Sequence, residues 1–202
     1  MAPEPDASDT TEDAVLGGRL RLRQPRRGHR VGHDAILLAA ATPARAGERV
    51  VDLGAGVGAA GLALAKRVEG VHLTLVEIDR ALCALAHDNV RLNGLDGRVD
   101  VVARDVAELP ADEFGSAERV LMNPPFNDSA RLQLSPDPAR RLAYAASADT
   151  LGVWIGAAIE EVLRDLRIAV VERHHHRRHA VRVRPVDIHA GLDHRRHATE
   201  AP

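Results

Sequence analysis

Strand-like and helix-like segments alternate along most of this chain, which predicts an α/β fold with a parallel sheet and helices on both faces. Three observations carry that expectation. Short, largely apolar runs at Arg49–Leu53 (RVVDL), His72–Val76 (HLTLV), Asp100–Ala103, Arg119–Met122 (RVLM) and Ile168–Val171 read as buried strands. Helical periods separate them, most clearly where Leu151, Trp154, Ile155, Ala158, Ile159, Val162, Leu163 and Leu166 recur at steps of three and one. Asp52, Glu77, Asp105 and Asn123 all fall at the carboxyl ends of strands, where open α/β sheets bind their ligands.

With 202 residues, 45% of them apolar, the chain suits one domain with a single core. Residues 1–12 are acidic, rich in Pro, Asp, Ser and Thr, and expected to be disordered. The domain is expected over residues 13–172. Within it, Gly17-Gly18 forms a turn and Arg19–Arg23 (RLRLR) alternates like a half-buried strand. Asp34 is placed to cap a helix through Leu38. A helix follows the glycine-rich stretch (GLALAKR), and another carries Leu82, Leu85, Ala86, Asn89 and Asn93 on one stripe until Asn93-Gly94 stops it. Asp79 suits the cap of that second helix better than a ligand contact.

The stretch Asp52-Leu53-Gly54-Ala55-Gly56-Val57-Gly58 ends a strand and opens a helix, so it reads as a ligand loop. Gly56, Gly58 and Gly61 also spell the dinucleotide fingerprint G-x-G-x-x-G, and Glu77, 19 residues after Gly58, is placed to accept ribose hydroxyls. These features fit a nicotinamide cofactor and S-adenosylmethionine alike.

Charge is uneven although the net value is only −2. Acids at 4, 6, 9, 12 and 13 precede arginines at 19, 21, 23, 26, 27 and 30, a local basic segment that suits either phosphate contact or a solvated surface. Lys66 is the only lysine among 27 basic residues, so arginine usage reflects coding bias and a single arginine says little. The lone cysteine, Cys83, cannot form an internal disulfide and fits a reducing cytoplasm. No apolar run is long enough to span a bilayer, and no signal peptide is visible. The histidine-rich tail lacks acids or cysteines at ligand spacing, so no metal site is expected.

Asn123-Pro124-Pro125-Phe126 separates the two cofactor readings. An aromatic or amide amine must have its lone pair localised before it attacks a methyl group. The Asn123 side-chain oxygen and the Pro124 carbonyl would accept the two amine protons and aim the nitrogen, the prolines would hold the loop rigid, and Phe126 would stack on a planar acceptor. No general base is required, because the proton leaves an already cationic nitrogen. Hydride transfer has no use for such a loop.

The glycine stretch, Glu77, Asp105 and Asn123–Phe126 together resemble a class I S-adenosylmethionine-dependent N-methyltransferase. The segments Gly17–Leu20, Gln24–Arg30, Asp34–Ala39, Asn123–Asp128 and Ser135–Arg141 resemble the tRNA1(Val) adenine-37 N6-methyltransferase family. The resemblance spans residues 13 to 163. It implies a Rossmann-like sheet, S-adenosylmethionine as donor and tRNA adenine as acceptor. Asp52, Gly54 and Gly56 would then meet the methionine end, Glu77 the ribose and Asp105 the adenine ring, and the resemblance leaves Asp34 either a cap or a lid over the cofactor. Asn123, Pro124, Pro125 and Phe126 would hold the target base, with Arg26, Arg27 and Arg30 as the candidates for RNA contact. A monomer in the cytoplasm is expected. The same loop chemistry suits rRNA guanine or a protein glutamine, and a cofactor- or tRNA-binding module without turnover is a further alternative.

From about Arg164 the chain departs from the family. Arg164-Asp165-Leu166-Arg167 stands where Pro-Gly-Gly is expected, and an Arg/His-rich tail over 173–202 replaces the last helix and two strands. This suggests a natural truncation or an out-of-frame reading. The tail is expected to be disordered, with Ala180–Val186 its only strand-like run, and the fifth strand is expected to be an exposed apolar edge that lowers solubility.

Overall fold

The computed structural model describes residues 9–27, 30–109, 117–124, 152, 154–156 and 158, together with the backbone of 167–173 and 181–186. The chain opens with a hairpin of β1 (Thr10–Val15) and β2 (Leu20–Pro25), then α1 (His33–Ala41). Next come β3 (Arg49–Leu53), α2 (Ala59–Arg67), β4 (His72–Glu77), α3 (Arg80–Leu92) and β5 (Val99–Ala103). A 3-10 turn at Val106–Glu108 precedes β6 (Arg119–Met122), and β7 (Arg167–Arg173) and β8 (Val181–Val186) follow.

Six strands form one sheet in the order β5-β4-β3-β6-β7-β8, the first five parallel and β8 antiparallel. The chain runs outward from β3 through β4 to β5, then returns to place β6 on the other side of β3. That reversal opens a crevice between the carboxyl ends of β3 and β6, where flanking loops diverge. Leu53–Gly58 leaves one side of it and Met122–Pro124 the other.

Period-two alternation divides the core. Val50, Leu73, Leu75 and Leu121 pack under α2 and α3, while Val51, Leu53, Val76, Val120 and Met122 face Val106 and Ala158 on the opposite side. Asp52 has the parity of Val50, so its carboxylate points toward α2. The second stripe helix forms as expected: Asp79 caps α3 by accepting N–H bonds from Ala81 (2.8 Å) and Leu82 (3.3 Å), and Gly94, with φ +62°, ends the run after Asn93. Gly152, Trp154–Gly156 and Ala158 are helical; the rest of the Leu151–Leu166 stripe lies outside the described residues.

Three expectations need correction. The ordered chain begins earlier than residue 13, because β1 starts at Thr10 and its acids meet partners from the hairpin. Glu12 pairs with Arg21 and Arg23, and Asp13 accepts from Gln24 (2.7 Å) and Arg30 (2.7 Å). Part of the tail is also structured. Val181–Val186 pairs antiparallel with β7 and covers the strand edge that would otherwise be bare. Pro185 is tolerated there because β8 is itself the outermost strand. Finally, Asp34 is no helix cap: α1 begins at His33 with Gly32 in the capping position and no side-chain capping bond.

Candidate active site

The glycine loop owes its shape to three left-handed residues, Gly54 (φ +67°), Gly56 (φ +59°) and Gly58 (φ +87°). The glycines differ in what surrounds them. A methyl group on Gly58 would lie 2.8 Å from Leu75, and one on Gly61 2.6 Å from the same side chain, so both let α2 settle onto β4. A methyl group on Gly54 would collide with the Trp154 ring. At Gly56 it would meet nothing within 4 Å. Gly56 is therefore the glycine that faces open space, whereas Gly58 and Gly61 serve packing.

Two buried carboxylates brace the loop. Asp52, 3% exposed, accepts from the Gly61 N–H (2.9 Å), and Glu77, 7% exposed, accepts from Gly56 N–H (2.8 Å) and Asp79 N–H (2.9 Å). Burial pushes the Asp52 carboxyl up to about 7; the Gly61 N–H opposes that rise and the Glu77 charge adds to it. Burial likewise raises Glu77, against the N–H bonds from Asp79 and Gly56. Two carboxylates so close and so dry favour the arrival of a cation.

Asp52, Gly54, Gly56, Asp34 and Asn123 line one cavity, with Glu77 joined to it through Gly56. Asn123 leaves the end of β6 half-buried, and its Nδ2 stands 3.5 Å from Asp34 Oδ2 on the first turn of α1. Pro124 is buried behind it. Pro125 and Phe126 lie outside the described residues.

Other expected residues stand elsewhere. Asp105 is outside the cavity lining, at the end of β5, where Oδ1 accepts the Ala107 N–H (2.9 Å) and caps the 3-10 turn. Arg30 is turned inward on the hairpin, donating to Asp13, Thr11 Oγ1 (2.9 Å) and the Pro25 carbonyl (2.9 Å). Arg26 donates to the Thr10 carbonyl (3.2 Å), and Arg27 is exposed. Two residues escaped the reading of the sequence. Ile78, 48% exposed directly after Glu77, is an apolar side chain at the strand end outside the cavity lining; its signal was an isoleucine between two acids, Glu77-Ile78-Asp79. Trp154 was read only as core, yet it touches Gly54.

A family model described as "Methyltransferase small domain" matches residues 29–148, which hold the glycine loop, Glu77 and Asn123 together. The chain belongs to that family. Among curated relatives, this methyltransferase small domain is 37% identical over 102 residues to the tRNA1(Val) (adenine(37)-N6)-methyltransferase of Serratia proteamaculans, covering 50% of the chain and 39% of the relative. It is 30% identical over 143 residues to the enzyme of that name from Cronobacter sakazakii, covering 70% of the chain and 58% of the relative. The chain thus spans about half the length of the curated relatives it matches. Among solved structures, a predicted O-methyltransferase from Agrobacterium tumefaciens is similar with a TM-score of 0.53 and 26% identity, covering 69% of this chain and 61% of that one. A SAM-dependent methyltransferase from Thiobacillus denitrificans, in complex with S-adenosyl-L-homocysteine, shares the fold at a TM-score of 0.51 and 20% identity, covering 73% of this chain and 51% of that one.

Proposed function

We propose that the chain transfers a methyl group from S-adenosylmethionine to an exocyclic amino nitrogen, adenine N6 in tRNA. The observation that carries this reading is the meeting of Asn123 with Asp52, Gly54 and Gly56 in one cavity. The cavity fits the donor in two respects. Gly56 leaves the space that a side chain would fill, and Asp52 is a buried carboxyl whose ionised form needs a cationic partner such as an amino-acid ammonium.

The donor, when bound, supplies an electrophilic sulfonium methyl. Asp52 and the backbone at Gly54 and Gly56 hold its methionine end. Glu77 has spent two acceptor sites on Gly56 and Asp79 and keeps others for ribose hydroxyls. Ile78 gives a flat ring an apolar face, and Asp105 stands at the next strand end for the adenine's polar edge. Asn123 and Pro124 accept hydrogen bonds from the N–H groups of the target amine and fix its direction, and the proton leaves the cationic product nitrogen to solvent. Asp34, by engaging the Asn123 amide nitrogen, leaves the amide oxygen as the group presented to the amine. No metal is needed for this step, since the leaving thioether departs uncharged.

RNA as acceptor is supported by the names of the relatives and by the exposed arginines of the hairpin, Arg19, Arg21, Arg23, Arg26 and Arg27. Arg30 serves that surface indirectly, by holding the hairpin together. A tRNA substrate places the reaction in the cytoplasm.

The test is incubation with methyl-labelled donor and an unmodified tRNA transcript, followed by digestion to nucleosides. Label eluting with N6-methyladenosine is expected. Label in protein, or in another nucleoside, would contradict the assignment.

A further inference from the structure

Two buried asparagines on α3 stand in for a strand beside the hairpin. The backbone polar groups of Arg21 and Arg23 point away from β1 and toward α3. Asn93 Oδ1 accepts the Arg21 N–H (3.0 Å), and its Nδ2 donates to the Arg21 carbonyl (2.7 Å). One turn earlier, Asn89 Oδ1 accepts the Arg23 N–H (2.6 Å) and its Nδ2 donates to the Arg23 carbonyl (2.9 Å). The spacings match: four helical residues advance about 6 Å, and two strand residues about 6.7 Å. Each side-chain amide therefore reproduces one rung of a ladder.

Asn89 makes a bond that Asn93 does not. Its Nδ2 also donates to the Val57 carbonyl (3.0 Å), and Val57 sits between Gly56 and Gly58 on the cavity wall. One fully buried amide thus grips the backbone of both the glycine loop and the strand that presents Arg21 and Arg23 to solvent. The Asn93 side chain bonds, among the described residues, the hairpin and α3, where it donates to the Asn89 carbonyl (2.7 Å), and its own backbone carbonyl accepts from Lys66 Nζ (2.6 Å).

We infer that Asn89 is a positioning residue that couples occupancy of the glycine loop to docking of the hairpin, an inference that rests on reading the loop as the methyl-donor site. A ligand that fixes the Val57 carbonyl fixes the amide, and the amide fixes β2. By linkage the effect is reciprocal, so a hairpin held by RNA strengthens donor binding by the same factor. The arginine edge of the hairpin then becomes best ordered when the donor is in place.

Hydrogen exchange on the full chain, with and without saturating S-adenosylhomocysteine, tests this, with calorimetry reporting whether that probe binds. In the wild type, the peptide covering β2 is expected to exchange roughly fivefold more slowly with the probe bound, a change at the low end of ordinary coupling. Asn93→Ala should exchange faster throughout yet keep the response to the probe. Asn89→Asp keeps the size of the side chain but loses both donated bonds, and should bind the probe with no response in β2. If that variant does not fold, Asn89→Ser, too short to span both carbonyls, takes its place. Binding heat without β2 protection in the wild type would overturn the coupling alone, as would a full response in the Asn89 variant. Absence of binding heat would overturn the donor reading and the coupling with it.

Discussion

Asn123 and Asp34, 89 positions apart in the chain, stand with amide nitrogen and carboxylate oxygen 3.5 Å apart at the cavity wall. A carboxylate only accepts, so it selects the orientation in which the Asn123 nitrogen faces α1 and the oxygen remains for the substrate. Asp34→Asn removes that selection, because a second amide can either donate or accept. Turnover is expected to fall roughly fivefold, about 1 kcal/mol in the barrier, the scale of one ordinary hydrogen bond. Steady-state kinetics checks this, and an unchanged kcat would count against it.

Donor binding is expected to release a proton near neutral pH. The Asp52 carboxyl is raised to about 7 by burial, so below that value it is largely protonated, and an arriving ammonium favours the ionised form. Affinity should therefore increase as pH rises from 5.5 to 7.5. Calorimetry in buffers of different ionisation enthalpy reads the proton directly. The sign for stability of the ligand-free protein is the reverse. A carboxyl with a raised folded value holds more protons folded than unfolded, so its contribution weakens from about pH 4 to pH 7. Asp52→Asn should flatten both trends.

The glycine loop should separate folding from binding. Gly54→Ala forces a methyl group into the Trp154 ring at a left-handed backbone position, which is expected to cost about 2 kcal/mol or more in stability. Gly56→Ala meets no neighbour and suffers only the backbone strain, on the order of 1 kcal/mol. Its methyl group enters the donor's space, so binding should weaken more than folding. Thermal melts and donor titrations on the two variants are expected to give opposite rankings.

The hairpin arginines should divide in the same way. Arg27→Ala is expected to weaken tRNA binding and lower the salt slope by about 1, as for one phosphate contact. Arg30→Ala should act through the fold. Its partner Asp13 is held below the ordinary carboxylate range, first by the Gln24 amide and then by Thr11 and Arg30, against an opposing effect of burial. Both side chains are more than a third exposed, so the pair contributes less than about 1 kcal/mol. That contribution is present above about pH 4 and is lost as pH falls through the depressed value of Asp13. Because the bonds from Arg30 to Thr11 and the Pro25 carbonyl do not titrate, a melt of Arg30→Ala should fall below the wild type at both pH values, by more at pH 7 than at pH 2.

The buried parallel strands were the most legible part of the chain. β3 and β6 match their largely apolar runs to the residue, because a strand covered on both faces is apolar except where a buried group such as Asp52 serves the site. β1 was hidden, since Thr10–Val15 carries two acids and its partners, Arg21, Arg23, Gln24 and Arg30, come from beyond the turn. β8 coincides with the one strand-like run of the tail, Ala180–Val186, but the histidines and arginines around it hid its pairing with β7. At the site, Asp52, Gly54, Gly56 and Asn123 were legible from their places at strand ends, and the structure brings them together. Asp34 was visible as an acid at a helix start, but its meeting with Asn123 joins residues 89 positions apart and has no local signal. Asn89 and Asn93 interrupted an apolar stripe, which marked them as buried polar groups without showing whose backbone they satisfy.

Asn123→Ala separates aiming of the amine from binding of the donor. The variant removes the acceptor that aims the amine but leaves Asp52, Glu77 and the glycine loop intact. With labelled donor and tRNA transcript, the predicted result is a loss of roughly a hundredfold or more in methyl transfer, at unchanged affinity for S-adenosylhomocysteine. Transfer at the wild-type rate, with the probe bound as before, would contradict it.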